Sequence, residues 1–376
     1  MKKLAVLIVL IFFGLLTVWL NYAESEHYPD LTSDPIWSAD QLELVASLDT
    51  PPGNISVSES GRVFLSLHPD AHPDLNVVEL VNGEVSPFPS LNWQPGGSEE
   101  LAFQQVLSIR LDQQGRLWVL DNGLHGVGQP RLLAFDVTTR ELVHQHDFSS
   151  DVFGLGSHAN DFQISKDGLY IYISDASILA KTPAVVFYNV ETQQARRVLE
   201  NDVSVKAGAY EPVVQGREMT LVGLFTINPG VDGIALSRDG ETLYYASVSG
   251  DMLYSLPTRH LKYAKANDHI LMGFVKPVGR KTMTDAMSTD DQGRLYLTDI
   301  EHSAIVRMSA DGHRETLLKT ETLRWPDGLS FGPDGYLYIT CSALHQVLGK
   351  LPSDIRDKAP YQVYRVKTDA TALAGH

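Results

Sequence analysis

The chain has 376 residues, 43% apolar and 20% charged, and carries a formal net charge of −16. That acidity argues against a nucleic-acid backbone or an anionic membrane surface as partner, and it suits a neutral or cationic small molecule or a divalent cation. The single cysteine, Cys341, excludes an internal disulfide.

Read from the N-terminus, Lys2 and Lys3 precede an apolar run from Leu4 to Leu20. This is the pattern of an export signal, and its length sits at the short limit for spanning a bilayer. Residues 1–23 are therefore expected to be a signal peptide or an uncleaved signal anchor. Either form places the remainder outside the cytoplasm, periplasmic or secreted, and the anchor form tethers it to the inner membrane. Residues 24–40, rich in Ser, Asp and Pro, read as a linker, and 41–376 as one domain.

In that domain one phrase recurs six times: an apolar stretch, a turn glycine, then a strand bearing an aromatic. The glycines are Gly61, Gly115, Gly168, Gly240, Gly293 and Gly335, and the second strands read RVFLSL, RLWVLD, LYIYISD, ETLYYAS, RLYLTD and YLYITC. A hairpin repeating at roughly 40–50 residues marks a β-propeller, in which each blade is one four-stranded sheet. The prediction is an all-β, six-bladed ring. LELVASL (Leu42 to Leu48) has no hairpin of its own and is expected to close the ring beside YQVYRV near the C-terminus, which removes the open edge. The long interval from Asn201 to Gly230 is expected to form a lid or rim over the channel. The repeated aromatics are expected to pack between blades.

Aligned on the turn glycines, the innermost strands begin at Gly53, Leu107, Asn160, Asp232, Asp285 and Asp327. In a propeller these positions rim one channel mouth. Four short oxygen-bearing side chains from consecutive blades suit a hard cation or a protonated amine; singly, such residues often serve as Asx turns. Residues just after the second strands are expected at the same mouth: Asp121 and Asn122, Asp175, Asp299 with Glu301 and His302, and Ser342 with His345. Trp325 and His158 lie in the entering loops. Asn122, Asn160, Asp232, Asp327, Trp325 and His345 are thus candidate ligand contacts. Asn160 and Asp232 are candidate ligands to one divalent cation, Ca²⁺ or Zn²⁺. Asp285 and His302 are candidate proton-transfer groups.

The stretches LWVLDNG (Leu117 to Gly123), NDFQI with YISDAS (Asn160 to Ser177), GVDGIALS (Gly230 to Ser237), LYLTDIEHSAI (Leu295 to Ile305) and WPDGLSFGPDGYLYITCSALH (Trp325 to His345) resemble the yellow/major royal jelly protein family. The resemblance implies a six-bladed, exported propeller. Insect relatives are tied to dopachrome conversion and to biogenic amines bound in the channel. A more distant likeness is to gluconolactonase-type propellers, metal-dependent enzymes whose cation is held by a first-blade Glu together with Asn and Asp at strand starts. Asn160 and Asp232 match that pattern, whereas the first blade reads PPGNIS and lacks the Glu. The leading expectation is a propeller binding a small aromatic or cationic molecule at its channel mouth. The alternatives are a metal-dependent lactonase and a dopachrome-type tautomerase.

Overall fold

A computed structural model describes residues 26–200, 202–221, 225–263 and 268–373. The expected targeting segment 1–23 lies outside the described residues. Strand β1 (Leu42–Leu48) comes first and stands apart from the blade that follows it. Blade one is β2 (Pro52–Val57), β3 (Val63–Leu67), β4 (Val77–Val81) and β5 (Glu84–Pro87); blade two is β6 (Val106–Leu111), β7 (Arg116–Asp121), β8 (Arg131–Asp136) and β9 (Leu142–Asp147). Blade three is β10 (Ala159–Ile164), β11 (Tyr170–Asp175), β12 (Ala184–Asn189) and β13 (Gln194–Val198). Two small hairpins follow, β14 (Val213–Val214) with β15 (Arg217–Glu218), and β16 (Thr220–Leu221) with β17 (Phe225–Thr226).

Blade four is β18 (Val231–Leu236), β19 (Thr242–Ser247), β20 (Met252–Pro257) and β21 (Lys276–Arg280), with the short helices α1 (Thr258–Lys262) and α2 (Asp268–Met272) between its outer strands. Blade five is β22 (Met287–Thr289), β23 (Leu295–Asp299), β24 (Ala304–Met308) and β25 (Arg314–Lys319). Blade six takes β26 (Pro326–Phe331), β27 (Tyr336–Cys341) and β28 (Tyr361–Lys367) from the C-terminal end, and its fourth strand is β1. The register runs from Leu42 opposite Val366 to Leu48 opposite Tyr361. The protein is a six-bladed propeller, closed by pairing its two ends.

The inner strands β2, β6, β10, β18, β22 and β26 neighbour one another in ring order around the channel. The aromatics after the turn glycines (Phe64, Trp118, Tyr172, Tyr244, Tyr296 and Tyr338) are all buried between sheets, as expected of the repeat. Every one of the six turn glycines has a positive φ, between 68° and 81°, which a side chain would strain. The stretch from Glu26 to Trp37, read from composition as a linker, runs along the ring. Ile36 N–H donates to Thr316 C=O at 3.0 Å, Trp37 N–H donates to Leu317 C=O at 2.8 Å, and Tyr28 Oη donates to Lys281 C=O at 2.7 Å.

What positions the channel side chains is a break in pairing that recurs from blade to blade. The register of inner strand on second strand slips between Pro52 and Ile55, Val106 and Ser108, Ala159 and Phe162, Val231 and Ile234, and Pro326 and Leu329. A β-bulge leaves backbone N–H groups without ladder partners and re-aims the side chains beside it. A hydroxyl on the second strand takes up those N–H groups. Ser66 Oγ accepts from Asn54 N–H (2.9 Å) and Ser174 Oγ from Asp161 N–H (3.0 Å). Thr298 Oγ1 accepts from Asp285 and Ala286 N–H (3.0 and 3.1 Å), and Thr340 Oγ1 from Gly328 N–H (2.7 Å). Two of these hydroxyls also donate to the next blade: Ser66 Oγ to Leu107 C=O at 2.7 Å, and Thr340 Oγ1 to Gly53 C=O at 2.5 Å. The glycines after Asp232 and Asp327 follow from the same crowding. A Cβ on Gly233 would come within 2.7 Å of Asp285 C=O, and one on Gly328 within 2.9 Å of Ile55 N.

Closure by β1 yields a matched test. Leu48 is 5% exposed and Leu44, on the same strand, is 58% exposed. Leu48→Asp is expected to lower unfolding free energy by about 3–5 kcal/mol by burying an unpaired charge in the closing blade. Leu44→Asp should stay within about 0.5 kcal/mol of the parent. Urea midpoints at unchanged slope check this, and equal effects of the two substitutions would show that β1 does not close the ring.

Candidate functional site

All six residues that begin the aligned inner strands (Gly53, Leu107, Asn160, Asp232, Asp285 and Asp327) line one cavity of about 120 Å³ at the channel mouth. Asp161, beside Asn160 at the blade-three bulge, lines it too. The walls are apolar: Ile178, Val248, Leu344 and Leu348 come from blade loops, and Pro212, Met219, Ile227 and Pro229 from the segment between blades three and four. That segment is therefore a lid, as its length suggested. It is fastened at three points. Val213 N–H donates to Glu301 Oε1 at 2.8 Å, Arg217 Nη2 donates to Leu348 C=O at 3.1 Å and Nη1 to His345 C=O, and Gln215 Nε2 donates to Ser303 Oγ at 3.3 Å.

The floor of the cavity is anionic. Asn160 Nδ2 donates to Asp232 Oδ1, and Trp325 Nε1 donates to Asp285 Oδ2 at 2.6 Å. Trp325 adopts a φ of 53°, an uncommon conformation for a bulky residue, and its ring stacks at 6.5 Å on His345. Strain of this kind persists where surrounding structure fixes the residue for a task. Asp161 is neutralised in place: its Oδ1 accepts from Ser108 Oγ at 2.7 Å and from Arg110 Nη2 at 3.1 Å. Among the described residues the other carboxyls have no such cation in contact, and only the charge of Lys281 acts on Asp232 and Asp285 without pairing to them. Burial, then the charges of Asp285, Asp161 and Asp327, push Asp232 well above the usual carboxylate range. Burial and the charges of Asp285 and Asp161 do the same to Asp327. Burial raises Asp285 to about 6, against the opposing pull of the Trp325 hydrogen bond. Lys281 lies in the same region, wholly buried, its Nζ donating to the carbonyls of Val248 (3.2 Å) and Thr282 (3.0 Å). Burial lowers that amine to about 7 despite the nearby acids.

Imidazoles belong to the same cavity. His68 and His158 line the cavity, and His158 Nδ1 is 2.9 Å from Nδ1 of His125, whose ring stacks on it at 4.8 Å. Burial, then His125 and His68, lower His158 to about 3, so it is neutral at physiological pH. His68 follows the second strand of blade one as Asn122 follows that of blade two, and this correspondence is the signal that would have found it.

The structure thus brings Asn160, Asp232, Asp285, Asp327 and Trp325 together and places Asn122, His302 and His345 elsewhere. Asn122 caps a turn, its Oδ1 accepting from His125 N–H at 3.2 Å. His302 Nδ1 lies 3.1 Å from Asp299 and its Nε2 3.5 Å from Asp30 of the N-terminal stretch, so it joins that stretch to blade five. His345 Nε2 contacts Gln215 Oε1 of the lid at 3.2 Å, and burial lowers it to about 4. The acids ending the second strands are staples for loop backbone: Asp121 accepts from Gln104, Gln105 and Gly123 N–H, Asp175 from His158 and Ser177 N–H, and Asp299 from Glu301 and His302 N–H.

Among the described residues no three His, Cys, Asp or Glu side chains converge to hold a metal ion. A cation here would depend on amide oxygens beside Asp232, those of Asn160 and of Asn54, whose buried Oδ1 has no hydrogen-bond partner among the described residues. Such all-oxygen donors suit Ca²⁺ and do not suit Zn²⁺, which favours nitrogen and sulfur.

A family model described as major royal jelly protein matches residues 104–368, from the start of blade two to the end of β28. Major royal jelly protein 7 of Apis mellifera is 26% identical over 248 residues, covering 61% of this chain and 53% of that protein. The chain thus spans about half the length of that curated relative. Among solved structures, a luciferin-regenerating enzyme superposes with a TM-score of 0.58 at 12% identity, covering 89% of this chain and 97% of that one. A gluconolactonase from Xanthomonas campestris superposes with a TM-score of 0.56 at 13% identity, covering 91% and 98%. At such identities the two structures share the fold.

The raised Asp285 yields a prediction on stability. Its folded-state value lies above its unfolded one, so its contribution is complete below about pH 4 and is lost as pH rises through about 6. Asp285→Asn, which keeps an acceptor for Trp325, should melt higher than the parent at pH 7 by about 2 kcal/mol of stability. The difference should vanish at pH 4. A difference independent of pH would contradict the assignment.

Proposed function

This chain belongs to the major royal jelly protein family, and from that premise we propose that it binds a small organic cation, an ammonium group on an apolar or aromatic body, in the mouth cavity. One observation carries the proposal: Asp232, Asp285 and Asp327 share a single cavity, with no cation in contact among the described residues, beneath a lid and walls of apolar side chains. Burying carboxyls in this way costs several kcal/mol per ionised group. A guest ammonium offsets that cost with charge-assisted hydrogen bonds of the stronger kind. Trp325, fixed by Asp285, offers an aromatic face to the same guest. The apolar body then lies against Met219, Ile227 and Leu344. The neutral imidazoles of His68 and His158 can accept or donate a further hydrogen bond from the cavity wall.

The proton balance of this reading is specific. Burial and the neighbouring carboxylates favour the protonated forms of Asp232 and Asp327 in the free protein, and pairing with an ammonium favours their ionised forms. Binding of an arylalkylamine is therefore expected to release protons and to tighten as pH rises through about 6, where Asp285 ionises. Titration calorimetry in buffers of different ionisation enthalpy checks both points. Asp232→Asn should weaken binding at least tenfold, about 1.4 kcal/mol. Binding that is pH-independent, or unchanged in that variant, would place the guest elsewhere.

The unpartnered Asn54 Oδ1 favours a second reading, a Ca²⁺ ion held by Asn54, Asn160 and Asp232, which would supply Lewis-acid chemistry of the lactonase kind. After chelator treatment, added Ca²⁺ should then raise the melting temperature, and Asn54→Ala should abolish the rise. No rise in the parent protein would dismiss the reading. A dopachrome-type isomerisation through His302 has less support, because His302 lies outside the cavity wall.

A further inference from the structure

Beyond ligand binding, we propose that the mouth face is a docking surface for a zwitterionic lipid bilayer, so that the cavity opens toward the headgroup layer. Loops on this face present bare aliphatic side chains. Leu124 (48% exposed) and Val127 (73%) follow β7, Leu155 (76%) precedes β10, Leu179 (63%) follows β11, and Val203 (74%) opens the lid segment. Each of these connections emerges at the cavity end of its blade.

The loops form one surface. Gly156 N–H donates to His125 C=O at 2.9 Å, and Ala180 N–H donates to Gly156 C=O at 3.0 Å. Gly126 abuts Gly154 so closely that a Cβ would overlap its carbonyl. Leu124 and His125 are consecutive non-glycine residues in left-handed conformation, with φ of 55° and 57°. Such backbone is costly, and it presents the Leu124 side chain to solvent. Exposed aliphatics grouped on one face of a soluble domain mark an interaction surface.

Two observations identify the bilayer as occupant. The first is charge. Residues 122–130, 149–158, 176–183 and 202–208 carry Asp151, Asp202, Lys181 and Lys206, a net charge of zero in a chain of −16. This net-neutral sector at blades two and three, unlike the acidic mouth loops of blade one with Asp70, Asp74, Glu99 and Glu100, meets no repulsion from zwitterionic headgroups. The second is tethering. The apolar run Leu4–Leu20 ends six residues before Glu26, a reach of roughly 20 Å. Glu26 is fixed to the mouth face, its N–H donating to Ala209 C=O and its C=O accepting from Glu211 N–H, both at 2.9 Å. A run that inserts in lipid would hold this face, and not the turn-glycine face, against the membrane.

The test uses the full chain on phosphatidylcholine vesicles, with a polarity-sensitive fluorophore on single introduced thiols; Cys341 is buried and stays unlabelled. Labels at Leu155→Cys and Leu179→Cys should shift to the blue and lose at least half their emission to nitroxide-bearing lipids. A label at Ser60→Cys, on the opposite face, should do neither. Adding Leu124→Asp with Val127→Asp should reduce quenching at Leu179→Cys without changing the melting temperature. Three results would each overturn the proposal: failure of the chain to bind vesicles, unquenched labels at 155 and 179 on bound protein, or a blue shift without nitroxide quenching, which would mean that a second copy covers the face.

Discussion

A hydrogen bond from bulge to hydroxyl holds the channel of this protein in shape. At the mouth the inner strands crowd toward one axis, and a straight ladder would alternate side chains inward and outward without regard to the cavity. The bulges at Asn54, Asp161 and Gly328 bend the strands there. Ser66, Ser174, Thr298 and Thr340 take the N–H groups that the bends, and the approach to β22, release. Because Ser66 and Thr340 also donate across to the following blade, the bulge geometry of one sheet is coupled to that of the next. Remove these hydroxyls and the N–H groups are buried without partners, at about 1–3 kcal/mol apiece.

That scaffold holds an arrangement that would not form by itself. Three carboxyls whose proton affinity is raised by burial and by neighbouring carboxylates sit around one cavity, while Asp161 is satisfied by Arg110. Around them the lid is tied to blades five and six through Glu301, Gln215 and Arg217, and the N-terminal stretch is tied to the lid at Glu26 and to blade five at Trp37. In the proposed reading, acidic floor, aromatic and apolar walls, neutral imidazoles and tethered lid together would make a site that selects by charge first and by shape second. A guest without positive charge would not relieve the mutual repulsion of these acids and would gain little from them.

Much of this architecture was legible in the residues. The turn glycines set a register, and that register alone placed Gly53, Leu107, Asn160, Asp232, Asp285 and Asp327 at one mouth, where they are found. The role of β1 followed from its lack of a hairpin. What could not be read was which polar residue near the mouth faces inward. Asp121, Asp175 and Asp299 look like ligand residues in the sequence, yet each turns to backbone N–H groups of its own loops. His302 and His345 were misplaced for a different reason: their partners, Asp30 and Gln215, are brought to them by segments far away in the chain. The Ser or Thr near the end of the second strand was visible in four repeats, and its meaning depends on a bulge that no pattern announces.

The central claim is that the mouth cavity holds an uncompensated cluster of carboxyls awaiting a cation. Carbon-detected NMR of the aspartate carboxyls, titrated with and without a saturating arylalkylamine, measures that most directly. The account predicts that Asp285 titrates near 6 in the free protein, that Asp232 and Asp327 are likewise raised above the ordinary carboxylate range, and that all three move to lower pH when the amine is bound. Titration of the three near the ordinary carboxylate value of about 4, indifferent to the amine, would contradict it.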